Sequence, residues 1–417
     1  MLDVIIVGAG AAGLAAGRYL TKKGLSVQIV EAADRVGGRA WTDTRRLGVP
    51  LDMGCSWVSG SDQNSLVKVA RRNGFTLIDH TDAPDTFLVD GAPAGKADVR
   101  LYDKAWRKIK KALDKAGKAA RDVPASDVIP QDLPFSGTVQ SWLGPMDHGA
   151  DFKDLSPIDY WDQADDQPSY LVREGFGAVV ACLAEGLPIT LGTAVTRIDW
   201  SGTAVSVETT NGTLRGRTCL VTVSTGVLAS GAIRFAPELP VATQEAIHGV
   251  PMGLLVKVPL QFSGTRLGFR DNEWVTYAVG DDVPAQACFF IAWPCGHDYM
   301  FGNIGGDLGW ELSREPAEVT VDFALETLVS LLGTDVRKAF RRGLRTDWAN
   351  DPLTRGAYSV QRPGCAGARK ALGRSVGDRI FFAGEALGGA HAALANGAHD
   401  SGRARAKQIR KMLQRKG

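Results

Sequence analysis

The apolar residues of this chain fall into short unbroken runs separated by glycine turns and by stretches of helical spacing. Val4 to Val7 is the first such run, and a run without polar breaks suits a strand buried on both faces of a sheet. After Gly8-Ala-Gly10-Ala-Ala-Gly13, residues Leu14 to Lys23 have helical character, with Gly24 as the stop. A second strand, Val27 to Val30, ends on Glu31. Farther along, Leu101 to Arg121 is a lysine-rich helical stretch, and Pro124 to Pro168 is broken by prolines, glycines and aspartates. Together they predict a helical insertion that covers something. The sheet pattern returns at Tyr170. A helix opens at Gly175-Phe-Gly177 and runs to about Glu185, and strands follow at Ile189–Leu191 and Val195–Trp200. Ala204–Thr210 and Thr213–Arg217, joined by Asn211-Gly212, predict a hairpin, and Cys219–Val223 another buried strand. Residues 248–345 alternate strands with a helix at Ala317–Leu332, and Arg379–Glu385 is a strand ending in Gly-Glu before a terminal helix.

Strand, glycine turn, helix and strand in that order predict a dinucleotide-binding unit. Gly8 permits the tight turn, Gly10 lets the backbone approach a pyrophosphate, and Gly13 lets the helix pack close to the strand. The pyrophosphate would sit on the helix N-terminus, where free N–H groups and the macrodipole favour anions. Glu31 stands where an acid accepts hydrogen bonds from ribose hydroxyls. Val36-Gly37-Gly38-Arg39 suits a second phosphate contact, with backbone donors and a guanidinium. A meander between parallel strands is common where the dinucleotide is FAD rather than NAD. The fold class that follows is α/β: a Rossmann-like FAD-binding domain assembled from discontinuous segments (1–82, 170–247 and 346–417), plus a mixed-sheet and helical substrate-binding domain (83–169 and 248–345).

Composition narrows the function classes. A chain of 417 residues with 44% hydrophobic and 23% charged residues is globular, and its net charge of +2 argues against nucleic acid as a partner. The six cysteines are scattered without a CxxC pair, so free thiols in a reducing, cytoplasmic setting are expected rather than disulfides or zinc. No signal peptide and no transmembrane segment is expected. The six histidines form no metal-like cluster; His391 and His399, near the terminal helix, are expected to be structural. Asp151, Asp154, Asp159, Asp162, Asp165 and Asp166 are expected to lie on a solvated loop, with an acidic entrance for polyamines as the alternative.

The motifs VGAGAAGL (Val7–Leu14), EAADRVGGR (Glu31–Arg39), LDMGCSWV (Leu51–Val58), MGLLVKVPLQF (Met252–Phe262), DWANDPLTRGAYS (Asp347–Ser359) and FFAGEALGGAHAALANGAHDSG (Phe381–Gly402) together resemble the flavin-containing amine oxidases, the family of monoamine and polyamine oxidases and histone lysine demethylases. Phytoene desaturases and protoporphyrinogen oxidases share the first two motifs and match the Lys257 and Tyr358 segments less well.

The resemblance implies that Gly8, Gly10, Ala12 and Gly13 hold the FAD pyrophosphate. It puts Glu31 at the adenosine ribose, Val195 at the adenine, and Gly38 and Arg39 farther along the cofactor, and counts Ala32 among the cofactor-binding residues. Gly54, Ser56 and Trp57 would lie near the ribityl chain and flavin ring, Glu385 beside the ribityl and pyrophosphate groups, and Leu394 at the pyrimidine edge. Lys257 resembles the family lysine near flavin N5. Its strand is otherwise apolar, so burial should lower its pKa; an edge-strand lysine pointing to water is the alternative. Tyr358 and Trp348 resemble walls of the aromatic cage that guides the amine, with core packing as the plainer role. Two departures stand out. Ala357 occupies the position of the flavin-bonding cysteine of mitochondrial monoamine oxidases, which implies non-covalent FAD. Leu394 replaces the second cage tyrosine.

The implied activity is hydride transfer from an amine α-carbon to flavin N5. The resulting imine hydrolyses, and O2 reoxidises the flavin with release of hydrogen peroxide. The partners expected are a small-molecule amine and O2, with the chain a monomer or homodimer. Other readings are an L-amino-acid oxidase, an amine dehydrogenase, a desaturase, or a non-catalytic FAD-binding scaffold.

Overall fold

The computed structural model describes residues 1–60, 63–164 and 167–415. Leu2–Val7 lies inside an eight-stranded sheet, paired in parallel with Val27–Val30 on one side and Gly212–Val221 on the other. Successive side chains of a strand face opposite ways. Val4 and Ile6 pack into one core with helices Ala11–Lys22 and Ala395–Arg415, while Ile5 and Val7 pack into a second core with the meander strands. Both faces are covered, which explains why the first run carries no polar residue. The terminal helix meets the first helix backbone to backbone: a Cβ on Gly402 would lie 2.1 Å from the Ala12 carbonyl oxygen.

Gly212–Val221 is one strand where the sequence suggested two. Its first half pairs antiparallel with Val205–Thr209, and its second half pairs in parallel with Leu2–Val7 and Ile380–Phe382. Thr218, at the apparent break, is buried with its hydroxyl donating to the Asp3 carbonyl at 2.9 Å, so a polar residue sits inside a buried strand without cost to the ladder.

The second sheet is seven-stranded, in the order Phe340–Gly343, Leu255–Phe262, Tyr299–Gly305, Phe289–Ala292, Glu273–Tyr277, Asp85–Val89, Ala92–Pro93. The last two strands come from residues for which the sequence pattern suggested no strand, just ahead of the lysine-rich helical stretch. Asp85–Val89 is short and flanked by turn residues, and its partner, Glu273–Tyr277, is remote in sequence. Helix Lys96–Lys118 buries Ala105, Ile109 and Leu113, one residue per turn, against the rest of the insertion. A three-stranded sheet of Trp57–Ser59, Ser169–Val172 and Leu77–Asp79 is the third principal sheet. Among the described residues no helix is long and apolar enough to cross a membrane.

Candidate active site

A cavity of about 1130 Å³ is bounded by the glycine turn after Leu2–Val7, the Leu255–Phe262 strand, the helical insertion and the start of the terminal helix. One wall is made mostly of backbone. Gly8 has φ +102, and a Cβ there would meet the Thr222 hydroxyl at 2.7 Å. Gly13 does not line the cavity: its Cβ would lie 1.9 Å from the Gly8 carbonyl oxygen, so it lets the helix pack on the turn. Gly10 does line it, and a Cβ there would find its nearest neighbour only at 4.0 Å. The helix that starts at Ala11 has no side-chain cap, so its first N–H groups are left for a ligand. Ala12, Ala32, Gly38 and Val195 line the same wall.

Glu31 accepts from the Ala9 N–H at 2.7 Å and the Ala33 N–H at 2.9 Å. Each carboxylate oxygen keeps a further lone pair. Arg39 Nη1 donates to Glu385 Oε1 at 2.9 Å and to the Ala357 carbonyl at 3.0 Å. Glu385 also accepts from the Ser359 hydroxyl at 2.6 Å. Burial alone would raise the Glu385 carboxyl; Arg39, Ser359 and Arg369 outweigh it and hold the group below its ordinary value. Arg369 in turn grips Asp159 through Nε at 2.7 Å and Nη2 at 2.9 Å, and donates to Ser359. This chain of charges ties the insertion to the segments carrying Tyr358 and Glu385.

The other wall is made of side chains. Lys257 lies on an interior strand, opposite Asn303, and is buried rather than turned to water. Its ammonium donates to the Ser56 hydroxyl, the Gly54 carbonyl and, at 3.3 Å, the Asp52 carbonyl. It stands 5.6 Å from the centre of the Trp57 ring and 5.0 Å from that of Phe301. Burial lowers its pKa to about 8, with Asp52 opposing the shift. The Asp52 carboxylate caps the short Phe176–Ala181 helix through the Phe176 and Gly177 N–H groups. Tyr358 faces the cavity with its hydroxyl donating to the Met146 carbonyl at 3.1 Å, and burial pushes its phenol up. Trp348 is both core and wall: it is buried, its indole N–H donates to the Met53 carbonyl at 2.9 Å, and it lines the cavity. Leu394 lines the cavity beside Ala395 and Ala398 at the start of the terminal helix.

Sequence reasoning missed part of this wall. Trp274 stacks on Trp57, with centroids 5.5 Å apart, and Trp142 meets Trp274 edge-on at 5.0 Å. Trp142 opens a π-helical turn, Trp142–Met146, that contains Pro145. A missing N–H there favours the wider turn, and the prolines that read only as helix breakers were its one visible signal. The aspartate stretch is a correction in part: Asp154 and Asp162 are exposed, as expected of a solvated loop, but two others are not. Asp159 is buried and paired, and Asp151 is buried with its carboxylate accepting from the Asp307 N–H at 2.8 Å, so neither lies on a solvated loop. Asp165 and Asp166 lie outside the described residues. Of the histidines, His80 and His148 line the cavity, whereas His391 and His399 do not. Among the described residues no group of His, Cys, Asp and Glu could hold a metal ion.

The backbone wall fits FAD: an uncapped helix N-terminus beside open space, a guanidinium, and an acid at the end of the second strand meet the needs of phosphates and a ribose. The sequence profile described as flavin containing amine oxidoreductase matches residues 11–136 and 153–410. The chain is 31% identical to lysine-specific histone demethylase 1 homolog 1 of Oryza sativa subsp. japonica, over 99% of this chain and 53% of that protein. It is 29% identical to polyamine oxidase 4 of the same organism, over 99% of this chain and 89% of that protein. It thus spans about half the length of the demethylase. Among solved structures, wild-type putrescine oxidase bound to putrescine matches with a TM-score of 0.82 at 20% identity, covering 98% of this chain and 99% of that one. This chain therefore belongs to the flavin-containing amine oxidoreductases, and its cofactor is FAD.

Proposed function

We propose that this protein oxidises a small-molecule amine to an imine, with O2 as the terminal acceptor and hydrogen peroxide as co-product, and that it holds FAD without a covalent bond. The observation that carries this reading is the convergence of Lys257, Trp57 and Tyr358 on one cavity whose opposite wall suits a dinucleotide. FAD, when bound, would supply the acceptor for the hydride of the amine α-carbon and the route of the electron pair to dioxygen. The chain's own residues do the rest. Tyr358, Trp57 and Trp274 give the amine flat apolar faces that exclude water, and Tyr358 is held in place by the Met146 carbonyl. Leu394 in place of a second phenol leaves that side of the cage apolar. Lys257, close to half-protonated in the slightly alkaline range, supplies a positive charge beside the reacting centre or moves a proton there. Gly8, Gly10, Ala12, Glu31, Ala32, Gly38, Arg39, Gly54, Ser56, Val195 and Glu385 hold the cofactor, and Gly13 acts through packing. Ala357 offers no thiol for a thioether. The six free cysteines support a reducing, cytoplasmic setting.

A peroxide screen of the purified yellow protein against monoamines, polyamines and amino acids tests the reading. Amine-dependent peroxide is expected, and acid precipitation should release the flavin into the supernatant. Turnover with an artificial acceptor alone would make the protein a dehydrogenase, and no turnover with any amine would sink the proposal.

A further inference from the structure

We propose that His80 is a positioning residue: as a neutral imidazole with its proton on Nε2, it holds the Trp57 indole, and with it the Trp57–Trp274 stack, at the cavity wall. The Trp57 indole N–H donates to His80 Nδ1 at 3.3 Å. An indole nitrogen can only donate, so Nδ1 must be the unprotonated nitrogen. On the other side of the ring, Nε2 lies 2.9 Å from the Asn272 carbonyl, which can only accept. One tautomer satisfies both contacts. An imidazolium would set an Nδ1–H against the indole N–H, donor against donor.

The ring also meets Trp274 edge-on, with centroids 5.8 Å apart and planes at 63°. Asn272 immediately precedes the Glu273–Tyr277 strand that carries Trp274, and its own side chain accepts from the Cys295 N–H at 2.6 Å. His80 therefore fixes both members of the stacked pair, one through a hydrogen bond and one through the strand entrance and ring contact.

Among the described residues the charged and titratable groups around it are few. Asp79, the residue before it, ends the Leu77–Asp79 strand, and Tyr170 lies opposite Asp79 on the paired strand. Glu273, next to Asn272, is held by Thr86 and the Arg270 N–H. Lys257 reaches the Trp57 ring. Burial opposes protonation of His80 more strongly than Asn272 and Asp79 favour it, so the neutral form is the one the fold holds.

The kinetic part of this inference rests on the amine-oxidase reading; the tautomer does not. Ring-nitrogen NMR of the full chain labelled at histidine, with and without FAD, reads the tautomer directly, and loss of one signal set in His80→Gln assigns it. His80 is expected to carry Nε2–H and to titrate below its ordinary value, because burial disfavours the imidazolium. A proton on Nδ1, or titration at or above that ordinary value, would overturn the proposal even if His80→Leu proves unfoldable. In turnover, His80→Leu should raise KM for the amine about five- to tenfold and change kcat much less. His80→Gln, which can accept and donate, should recover most of the loss. Trp57→Phe, which keeps a ring and removes the N–H, should make the further loss on adding His80→Leu smaller than His80→Leu causes alone, leaving only the share carried by the Trp274 contact. Additive losses, or an unchanged KM in His80→Leu, would also overturn it. Failure of every amine to turn over would defeat the amine-oxidase reading and leave the tautomer to decide this one.

Discussion

The two walls of the cavity are built on opposite principles. At the dinucleotide wall the surface is mostly backbone, with Glu31 and Arg39 as its charged side chains, and what matters most is which side chains are missing: Gly8, Gly10, Gly37 and Gly38 occur within about 30 residues, the length of a βαβ unit. At the amine wall the contacts are side chains, and Trp57, Trp142, Trp274, Lys257 and Tyr358 come from segments remote in sequence. The first wall can be specified locally because turn, helix start and strand are neighbours. The second exists only once the seven-stranded sheet, the insertion and the three-stranded sheet have packed. Substrate choice can therefore change on this scaffold by altering remote side chains while the cofactor wall is left alone.

The comparison breaks hardest at the glycines. Gly13→Ala puts a methyl 1.9 Å from a backbone oxygen, a contact that no rotamer can relieve. The expected cost is about 3 kcal/mol or more, seen as a large fall in Tm whether or not FAD is present. Gly10→Ala has no neighbour within less than 4.0 Å and no unusual φ, so Tm of the flavin-free protein should hardly move. The methyl occupies space at the cavity, so FAD affinity should fall by roughly ten- to a hundredfold, as for an overpacked contact of about 1–3 kcal/mol. Equal effects of the two substitutions on flavin-free stability would show that the turn does not divide into a packing glycine and a binding glycine.

The same division explains what the sequence made visible. The unbroken Val4–Val7 run, the glycine spacing and Glu31 required only local rules, and the structure places them together without rearrangement. Lys257 was conspicuous because a charge interrupts an apolar strand. Trp142 and Trp274 carried no such mark: a tryptophan in a proline-broken stretch or in an ordinary strand has the same local signature whether it fills a core or walls a cavity. Arg369 was equally silent, since nothing within several residues of it announces Asp159. Strand Asp85–Val89 was lost for the related reason that its partner is far away in sequence, so strand propensity over five residues had nothing to confirm it.

Lys257 sharpens the comparison from the other wall. Lys257→Met keeps length and apolar volume, so the yellow flavoprotein should still form. The reaction of the reduced enzyme with O2 should slow about 10²-fold, the scale for losing one preorganised charge in a dry site. In the unaltered protein that step should weaken as pH rises through about 8, where the buried ammonium loses its proton. The variant should be slow and flat with pH. Stability has its own signature. Between about pH 8 and the ordinary lysine value of 10.5 the unfolded chain binds more protons at this residue than the folded one, so unfolding free energy should rise across that window and lose this rise in the variant. Stopped-flow reoxidation and denaturant titrations across that range read the two effects separately.

The smallest effect expected concerns Tyr358, where face and hydroxyl can be separated. Tyr358 lines the cavity, and its hydroxyl is engaged by the Met146 carbonyl at the end of the π-helical turn that also carries Trp142. Tyr358→Phe keeps the flat face and loses one hydrogen bond, about 1 kcal/mol net. Because that bond anchors a neighbouring turn rather than the amine, the loss should appear as a change of about fivefold or less in KM, with kcat nearly unchanged. Tyr358→Leu removes the face itself and should cost more, in kcat as well as KM, since water then has access to the reacting bond. If Phe and Leu behave alike, the hydroxyl rather than the aromatic surface is what the amine uses, and the amine wall would be a set of polar contacts like its counterpart, not an apolar one.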